Sequence, residues 1–592
     1  MSAFTPPLDD IRFVLHELTD LAAVQALPGQ EDTGPELIDA VLEEAGKFAA
    51  QVLAPLNREG DQAGSQWHDG EVTTAPGFKD AYKQYCESGW NALPFPTRWG
   101  GQGLPSVVSS PVSELVMAAN LSFSLCPMLT SGAVSALLLV GSDYLRETFL
   151  PKMVDGSWTG TMNLTEPQAG SDLALVRTRA VPEGDHYRLF GQKIFITYGE
   201  QDFTDNIVHL VLARLPDAPE GVKGISLFVV PKFLVNADGS LGARNDVRCA
   251  SLEHKLGIHA SPTAVLNYGE KDGAIGYLVG EANRGLEYMF IMMNEARYFF
   301  GVQGIAISER ALQQASSYAH ERLQGRDLTD PRGPTVPITR QPDVRRMLLT
   351  MRAITEANRA LSMALAALLD HGRAGNSQAQ ALAEFLIPIH KGWATEAANE
   401  VTSLGVQVHG GMGFIEETGA AQHLRDARIT AIYEGTTAIQ ANDLVGRKTA
   451  RDGGAVAKAL AGQIRASAQA LVEVDDADLK VIGTRLEAAV TAFEACAEYV
   501  AGHYKSDIVA VHAASVPYLQ LSGIVCGGWQ MARAALAARH KLDAGAGDAG
   551  FYQAKLKTAR FYADHLLPRV DGLKTVVLEG ASAIQDYPED RL

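Results

Sequence analysis

The stretch AIYEGTTAIQAN, residues 431–442, sets one carboxylate, Glu434, between Tyr433 and Gly435, with two threonines and an apolar run behind it. Thr437-Ala-Ile-Gln440 has the T-x-x-Q form of a capping box, which predicts a helix start near 437. Glu434 then lies just outside a helix N-terminus, whose dipole favours the ionised acid. A neighbouring apolar pocket would push its pKa the other way, toward neutrality. A carboxylate tuned between those effects can serve as a general base. Gly435 removes side-chain bulk and leaves an amide to face a ligand. A solvated acid favouring a helix end is the plainer reading of the same residues.

Other segments offer groups for a bound ligand. In MNLTEPQAGSDLA (162–174), Thr165, Gly170 and Ser171 combine small side chains with exposed amides, able to hold a heterocycle or a phosphate. The alternative is a polar turn. GQKIFITYGE (191–200) reads as a strand with Phe195 and Thr197 two apart on one face, able to stack on and hydrogen-bond a ring, or simply a core strand. HGGMGF (409–414) permits close backbone approach but lacks the G-x-G-x-x-G spacing; a tight turn between helices suffices. His254 and His259 have no clustered third ligand, so no metal site is expected.

These segments need elements to position them. With 592 residues, the chain is too long for one core and three or four domains are expected. The net charge of −18 argues against nucleic acid as a partner, because phosphate contacts need a basic face. Five cysteines without C-x-x-C spacing suggest neither a disulfide framework nor a zinc site, and fit a cytoplasmic setting. MSAFTPPLDDIRF has neither the basic nor the apolar region of a signal peptide. Residues 115–142 carry no charge and are long enough to span a bilayer. Asn120, Ser122, Ser124, Pro127, Thr130, Ser131 and Gly132 interrupt the run, however, predicting two buried helices joined by a turn and no membrane span.

Apolar spacing of three and four gives helices over about 10–155. Short β-branched and aromatic runs between turn residues give strands over 158–280, enough for a barrel or sandwich. Three long helical runs follow, and the helix after Glu434 makes a fourth, the count for a bundle. TARDGGA (449–455) reads as a linker into a last helical segment. The class is α+β. The divisions expected are an N-terminal extension (1–35), a helical domain (36–157), a middle β domain (158–282), a bundle (283–450) and a C-terminal helical extension (456–592).

As an ordered set, TEPQAGSD, KIFIT and RDARITAIYEGT resemble the acyl-CoA dehydrogenase family. The full length is similar to its long branch, which includes enzymes acting on 3-(methylthio)propanoyl-CoA. The resemblance implies a helical N-terminal domain, a middle β-barrel, a four-helix bundle and an extra C-terminal helical domain, with FAD as cofactor. It places Met162, Leu164 and Thr165 at the flavin ring, Gly170 and Ser171 near the pyrophosphate and pantetheine, and Phe195 and Thr197 flanking the ring. Arg322 and Gln341 would reach a neighbouring subunit's FAD, and Gln407, Gly410 and Gly411 its adenosine end. Thr436 would touch the pyrophosphate or ribityl chain, Arg297 the CoA arm, and Tyr433 and Gly435 the substrate.

Glu434 matches the family's base. It would take the α-proton while flavin N5 takes hydride from the β-carbon, yielding a trans-2-enoyl-CoA. The position used by other members as the base is here Ala296, which cannot take a proton, and Glu295 points about 100° away around a helix. Phe195 stands for a common tryptophan, Asn294 for a frequent aspartate and Ala438 for a frequent glutamine. The substrate implied is a fatty acyl-CoA or 3-(methylthio)propanoyl-CoA, the acceptor an electron-transfer flavoprotein, and the assembly a homodimer or homotetramer. An oxidase using O2 has the same motifs. A DNA-binding flavoprotein on this scaffold would want a basic C-terminal region, whereas 456–592 contains VEVDDADLK and ends in DYPEDRL.

Overall fold

Helical periodicity before and after a strand-rich middle becomes, along the chain, helices before and after a run of strands in the computed structural model, which describes residues 4–592. The helices used below are α1 (Leu8–Phe13), α2 (Ser106–Ala119), α3 (Leu121–Val140), α4 (Gly285–Glu321), α5 (Pro342–Arg373), α6 (Ser377–His409) and α7 (Thr437–Asp443). In the C-terminal segment they are α8 (Ala455–Glu473), α9 (Ala477–His503), α10 (Ser515–Asp543) and α11 (Ala549–His565). The strands are β1 (Trp158–Asn163), β2 (Arg179–Glu183), β3 (His186–Thr197), β4 (Asn206–Arg214), β5 (Ile225–Pro231), β6 (Val247–Leu252), β7 (Thr263–Tyr268) and β8 (Ala274–Leu278). Contacts group the chain into two units. One is Lys47–Leu104 with Ala119–Phe299; the other is the segment ending at Gly46, Pro105–Ala118 and Phe300–Leu592. The cut falls inside α4.

In the first unit the strand order is β6-β7-β3-β8-β5-β4-β1, with β2 pairing both β3 and β4. That double pairing closes a ring, β3-β8-β5-β4-β2, so the expected barrel is present. Leu189, Val211, Phe228, Val230 and Leu266 fill it, and burying each such side chain contributes about 1.5–3 kcal/mol. A short hairpin, Gln66–His68 with Glu71–Thr73, interrupts the N-terminal helices where only helix was expected. Its Trp67 indole N–H donates to the Cys249 carbonyl at 3.0 Å, tying it to the barrel.

The uncharged run 115–142 does divide, but at Asn120 alone. Its side chain caps α3, accepting from the Phe123 N–H at 3.0 Å. Pro127 and Gly132 do not break α3, contrary to the expectation of a mid-segment interruption. Ser124 and Thr130 return their hydroxyls to helix carbonyls. Burial on all sides favours continued helix. α3 is long and apolar enough to cross a membrane, yet 67% of its apolar window is buried within the protein, as in a core helix.

In the second unit α5 packs along α6, α7 packs on α6, and α10 of the C-terminal segment packs against both α5 and α6. A π turn over Leu444–Ala450 extends α7. The expected linker reduces to a turn in which Gly453 (φ 67°) and Gly454 (φ 82°) reverse the chain ahead of α8. A buried ionic cluster joins distant segments. Arg359 (α5) meets Glu114 (α2) at 2.6 Å, Glu309 (α4) at 2.8 Å and Asp10 (α1) at 3.5 Å. Lys555 (α11) pairs with the same Asp10 and, at 3.0 Å, with Glu356.

Candidate active site

In the bundle unit the segment between the turn Ile429–Ala431 and α7 carries Glu434. Two successive residues there are left-handed, Glu434 at φ 54° and Gly435 at φ 91°. For a glutamate this conformation costs about 1–2 kcal/mol, and strain of that kind collects at functional sites. A Cβ at Gly435 would stand 2.8 Å from the Gln440 amide nitrogen and 3.1 Å from Ile439, so the position requires glycine. The Tyr433 phenol donates to Gln303 Oε1, and its ring lies 4.4 Å from that of Phe300. Burial, and after it the Glu434 charge, hold this phenol far above its usual range, keeping it a donor.

The helix starts at Thr437, as the capping box suggested, but its cap is one residue earlier than the box implied. Thr436 is the N-cap, its hydroxyl accepting from the Ile439 N–H at 3.4 Å. Thr437 instead donates to Glu396 at 2.5 Å. Gln440 does not reach the cap amide; its Nε2 donates to the carbonyls of Glu434 (3.2 Å) and Gly435 (3.3 Å). Lys391 of α6 donates to the carbonyls of Thr430 at 2.9 Å and Gly435 at 2.8 Å.

A second group forms at the far end of α6. Gln407, Gly410 and Gly411 are exposed there, and neither glycine has an atom within 4 Å of where a Cβ would be. The His409 ring stacks on Tyr318 at 4.5 Å, one turn before Arg322. Arg322 leads into the hairpin Leu323–Arg326 with Thr335–Pro337, and Gln341 donates to the Arg326 carbonyl at 3.1 Å. Arg322, Gln341, Gln407, Gly410 and Gly411 thus share one end of the bundle. At 1.5 Å per residue that end lies about 24 Å along α6 from Lys391 and the Glu434 segment.

In the barrel unit, Met162 ends up buried in β1, while Leu164 and Thr165 are half-buried and Gly170 and Ser171 exposed in the turn that follows. Thr165 accepts from the Ile194 N–H at 3.0 Å, and Leu164 accepts from the Lys193 ammonium at 2.9 Å. β3 thereby carries both the turn and Phe195. Register shifts by one residue between Lys193 and Ile196, a bulge. It puts Lys193 and Ile196 in the interior and leaves Phe195 58% exposed at φ 61°. Thr197 stays half-buried.

Glu166 locks the turn beneath this surface. It accepts from Lys193 (2.8 Å), the Thr178 hydroxyl (2.6 Å) and the N–H groups of Arg177 and Thr178. Burial opposes its charge, but the Lys193 charge and these donors outweigh burial and hold its pKa down to about 2. In the same unit Arg297 is buried on α4, its guanidinium 5.9 Å from the Phe290 ring. Glu295 accepts from Ser131 at 2.8 Å and Ala296 is buried.

Sequence reasoning named Glu434, and Gln440 only as a capping residue, but missed Lys391, Lys193 and Glu166. A lysine inside the apolar run FLIPIHKGWA was the available signal for Lys391. For the others it was an acid in one motif and a base in the next. Among the described residues no three His, Cys, Asp or Glu side chains gather as a metal site. The residues of the barrel unit fit FAD: an aromatic face exposed from a core strand beside a hydroxyl, and the open, exposed Gly170 and Ser171 in the turn that follows β1.

Residues 36–157, 161–269 and 283–448 match the N-terminal, middle and C-terminal domains of acyl-CoA dehydrogenases. The chain belongs to the acyl-CoA dehydrogenase family. Residues 460–588 of this acyl-CoA dehydrogenase match a further domain described as acetyl-CoA dehydrogenase C-terminal like. The 3-methylmercaptopropionyl-CoA dehydrogenase of Ruegeria pomeroyi is 51% identical over 95% of this chain and 96% of its own. Caenorhabditis elegans ACDH-11, solved with C11-CoA, shares the fold over 98% of this chain and 97% of its own (TM-score 0.76, 21% identity). A structure of the electron transferring flavoprotein of Acidaminococcus fermentans aligns over 69% of this chain and 96% of that one (TM-score 0.57, 27% identity). The protein is an FAD-dependent acyl-CoA dehydrogenase.

Proposed function

We propose that Glu434 is the base that removes the α-proton of the acyl-CoA, the observation carrying this being its left-handed, clamped backbone. A rigid, strained segment presents the carboxylate from a fixed direction, so little reorganisation is needed at the moment of transfer. Bound FAD supplies the acceptor for the β-hydride. The Glu434 N–H is assigned to the thioester carbonyl, where it stabilises enolate-like charge. Tyr433 and Gly435 flank the α-carbon, and Arg297 and Ser171 face the CoA arm. In the barrel unit Phe195, Thr197, Met162, Leu164, Thr165, Gly170 and Ser171 would bind the flavin, and in the bundle unit Thr436 would do so. Arg322 and Gln341 would reach a neighbouring subunit's FAD, and Gln407, Gly410 and Gly411 its adenosine end, across a two-fold assembly.

The 51% identity supports a short thioether substrate, 3-(methylthio)propanoyl-CoA. An electron-transfer flavoprotein is the proposed acceptor, supported by the likeness to a structure of that name. All five cysteines are free thiols, which supports a cytoplasmic location.

Anaerobic flavin bleaching tests the reading. Wild type and Glu434→Gln, both carrying FAD, are mixed with butanoyl-, octanoyl-, palmitoyl- and 3-(methylthio)propanoyl-CoA. Bleaching of the wild type alone, fastest with the thioether, is expected. Equal bleaching of both proteins refutes the base, and a faster long-chain substrate refutes the substrate.

A further inference from the structure

Lys391 lies fully buried in α6, with its ammonium on two backbone carbonyls of the segment that presents Glu434. Thr430 and Gly435, the residues it bonds, bracket Ala431–Glu434. Gln440, also fully buried, grips the Glu434 and Gly435 carbonyls from α7. The Gly435 carbonyl therefore receives donors from both helices.

Burying an ammonium costs several kcal/mol unless it is well coordinated. A leucine or methionine would fill the same volume without that cost. Charge at this point has a geometric use. A charge-assisted donor is roughly twice as strong as a neutral one, and two such bonds hold the peptide units before and after the strained residues in one arrangement. Released from them, Glu434 and Gly435 would relax from the left-handed region and the carboxylate would swing with the backbone.

We propose that Lys391 is a positioning residue for the dehydrogenation, acting through the Thr430 and Gly435 carbonyls to fix the direction in which Glu434 is presented. This rests on Glu434 being the base. Lys391 touches neither substrate nor cofactor; it sets the rate of proton abstraction, not the affinity for acyl-CoA.

The test uses FAD-loaded wild type, Lys391→Met and Lys391→Gln, the last keeping a shorter, neutral donor. Flavin reduction is followed by stopped flow against 3-(methylthio)propanoyl-CoA concentration, and amide hydrogen exchange of the 429–440 peptide is measured by mass spectrometry. Misplacement by about 1 Å costs on the order of 100-fold in rate. The limiting rate per bound flavin should therefore fall about 10- to 100-fold in Lys391→Met and less in Lys391→Gln. The half-saturating concentration should stay within about twofold, and exchange should accelerate at least about 10-fold in 429–440 alone.

A limiting rate within twofold of wild type, a loss confined to half-saturation, or exchange that accelerates throughout the protein overturns the proposal. So does failure of both variants to yield folded holoenzyme, which would make Lys391 a stability residue only. Glu434→Gln separates the two readings. If it bleaches like wild type, the base assignment fails first; if it does not bleach while Lys391→Met does so normally, only the present proposal fails.

Discussion

Replacing Arg359 by methionine removes the guanidinium shared by Glu114, Glu309 and Asp10 while keeping much of its apolar bulk. Asp10 retains Lys555, so the burden falls on Glu114 and Glu309. Removing one partner of a buried ion pair costs about 3–5 kcal/mol. Protonation offers a second estimate. Neutralising one carboxylate of ordinary pKa 4.5 at pH 7 costs ~3.4 kcal/mol, at 1.36 kcal/mol per pH unit. Glu114 is the group to take that proton, because burial already raises its pKa against the pull of Arg359. The two estimates agree.

The sign with pH follows. In the variant the folded protein binds a proton that the unfolded chain does not, so its deficit shrinks as pH falls. Between pH 7 and pH 5 the relief is ~2.7 kcal/mol per proton. Thermal unfolding should show a midpoint lowered on the order of 3–7 °C at pH 7, with most of the difference gone at pH 5. Adding Glu114→Gln to Arg359→Met should recover part of the loss at pH 7. A midpoint within about 2 °C of wild type at pH 7, or an equal deficit at both pH values, refutes the reasoning.

Gly435→Ala forces a Cβ into the Gln440 amide at a left-handed position; it should cost about 1–2 kcal/mol and slow flavin reduction at least about tenfold, read by thermal unfolding and stopped flow. Lys193→Met strands the Glu166 carboxylate and frees the Leu164 carbonyl, so FAD affinity, measured by flavin fluorescence on dilution, should fall about 10-fold or more. Burial, with the Arg244 and Lys232 charges after it, holds the His209 imidazole down to about 3, and burial holds His423 there too. Each stays neutral when folded but takes a proton on unfolding below about 6.5. Stability should therefore decline as pH falls from 6.5 toward 3, by up to ~1.4 kcal/mol per pH unit for each histidine; His209→Gln should flatten that slope.

The turn that carries Glu434 was legible because its immediate neighbours carry the signal: an aromatic, a glycine and a cap within three residues. The long helices were legible because apolar period persists over many turns, and β3, β4, β5 and β7 because their runs are short and bounded by turn residues. What escaped depends on partners remote in sequence. Lys391 is defined by carbonyls 39 and 44 residues away, and a backbone carbonyl has no letter in the sequence. The bulge before Phe195 follows from pairing with β7, not from GQKIFIT itself. The cap moved from Thr437 to Thr436 because Glu396, on another helix, claims the Thr437 hydroxyl. At residues 115–142 burial overrode the helix-breaking tendency of Pro127.

The Asp10–Lys555 pair spans 545 residues, and this sets an order on biogenesis. Asp10 leaves the ribosome early, but its ammonium partner is added near the end. At 5–20 residues per second the N-terminal segment waits about half a minute to two minutes for it. The residues that build the barrel unit, Lys47–Leu104 and Ala119–Phe299, are all made within about the first half of the chain. Vectorial synthesis therefore lets the barrel close early, while the unit holding Glu434 gains its Asp10–Lys555 pair only once residue 555 has been made. A truncation that removes α11 deprives Asp10 of Lys555, so damage at one terminus is felt at the other.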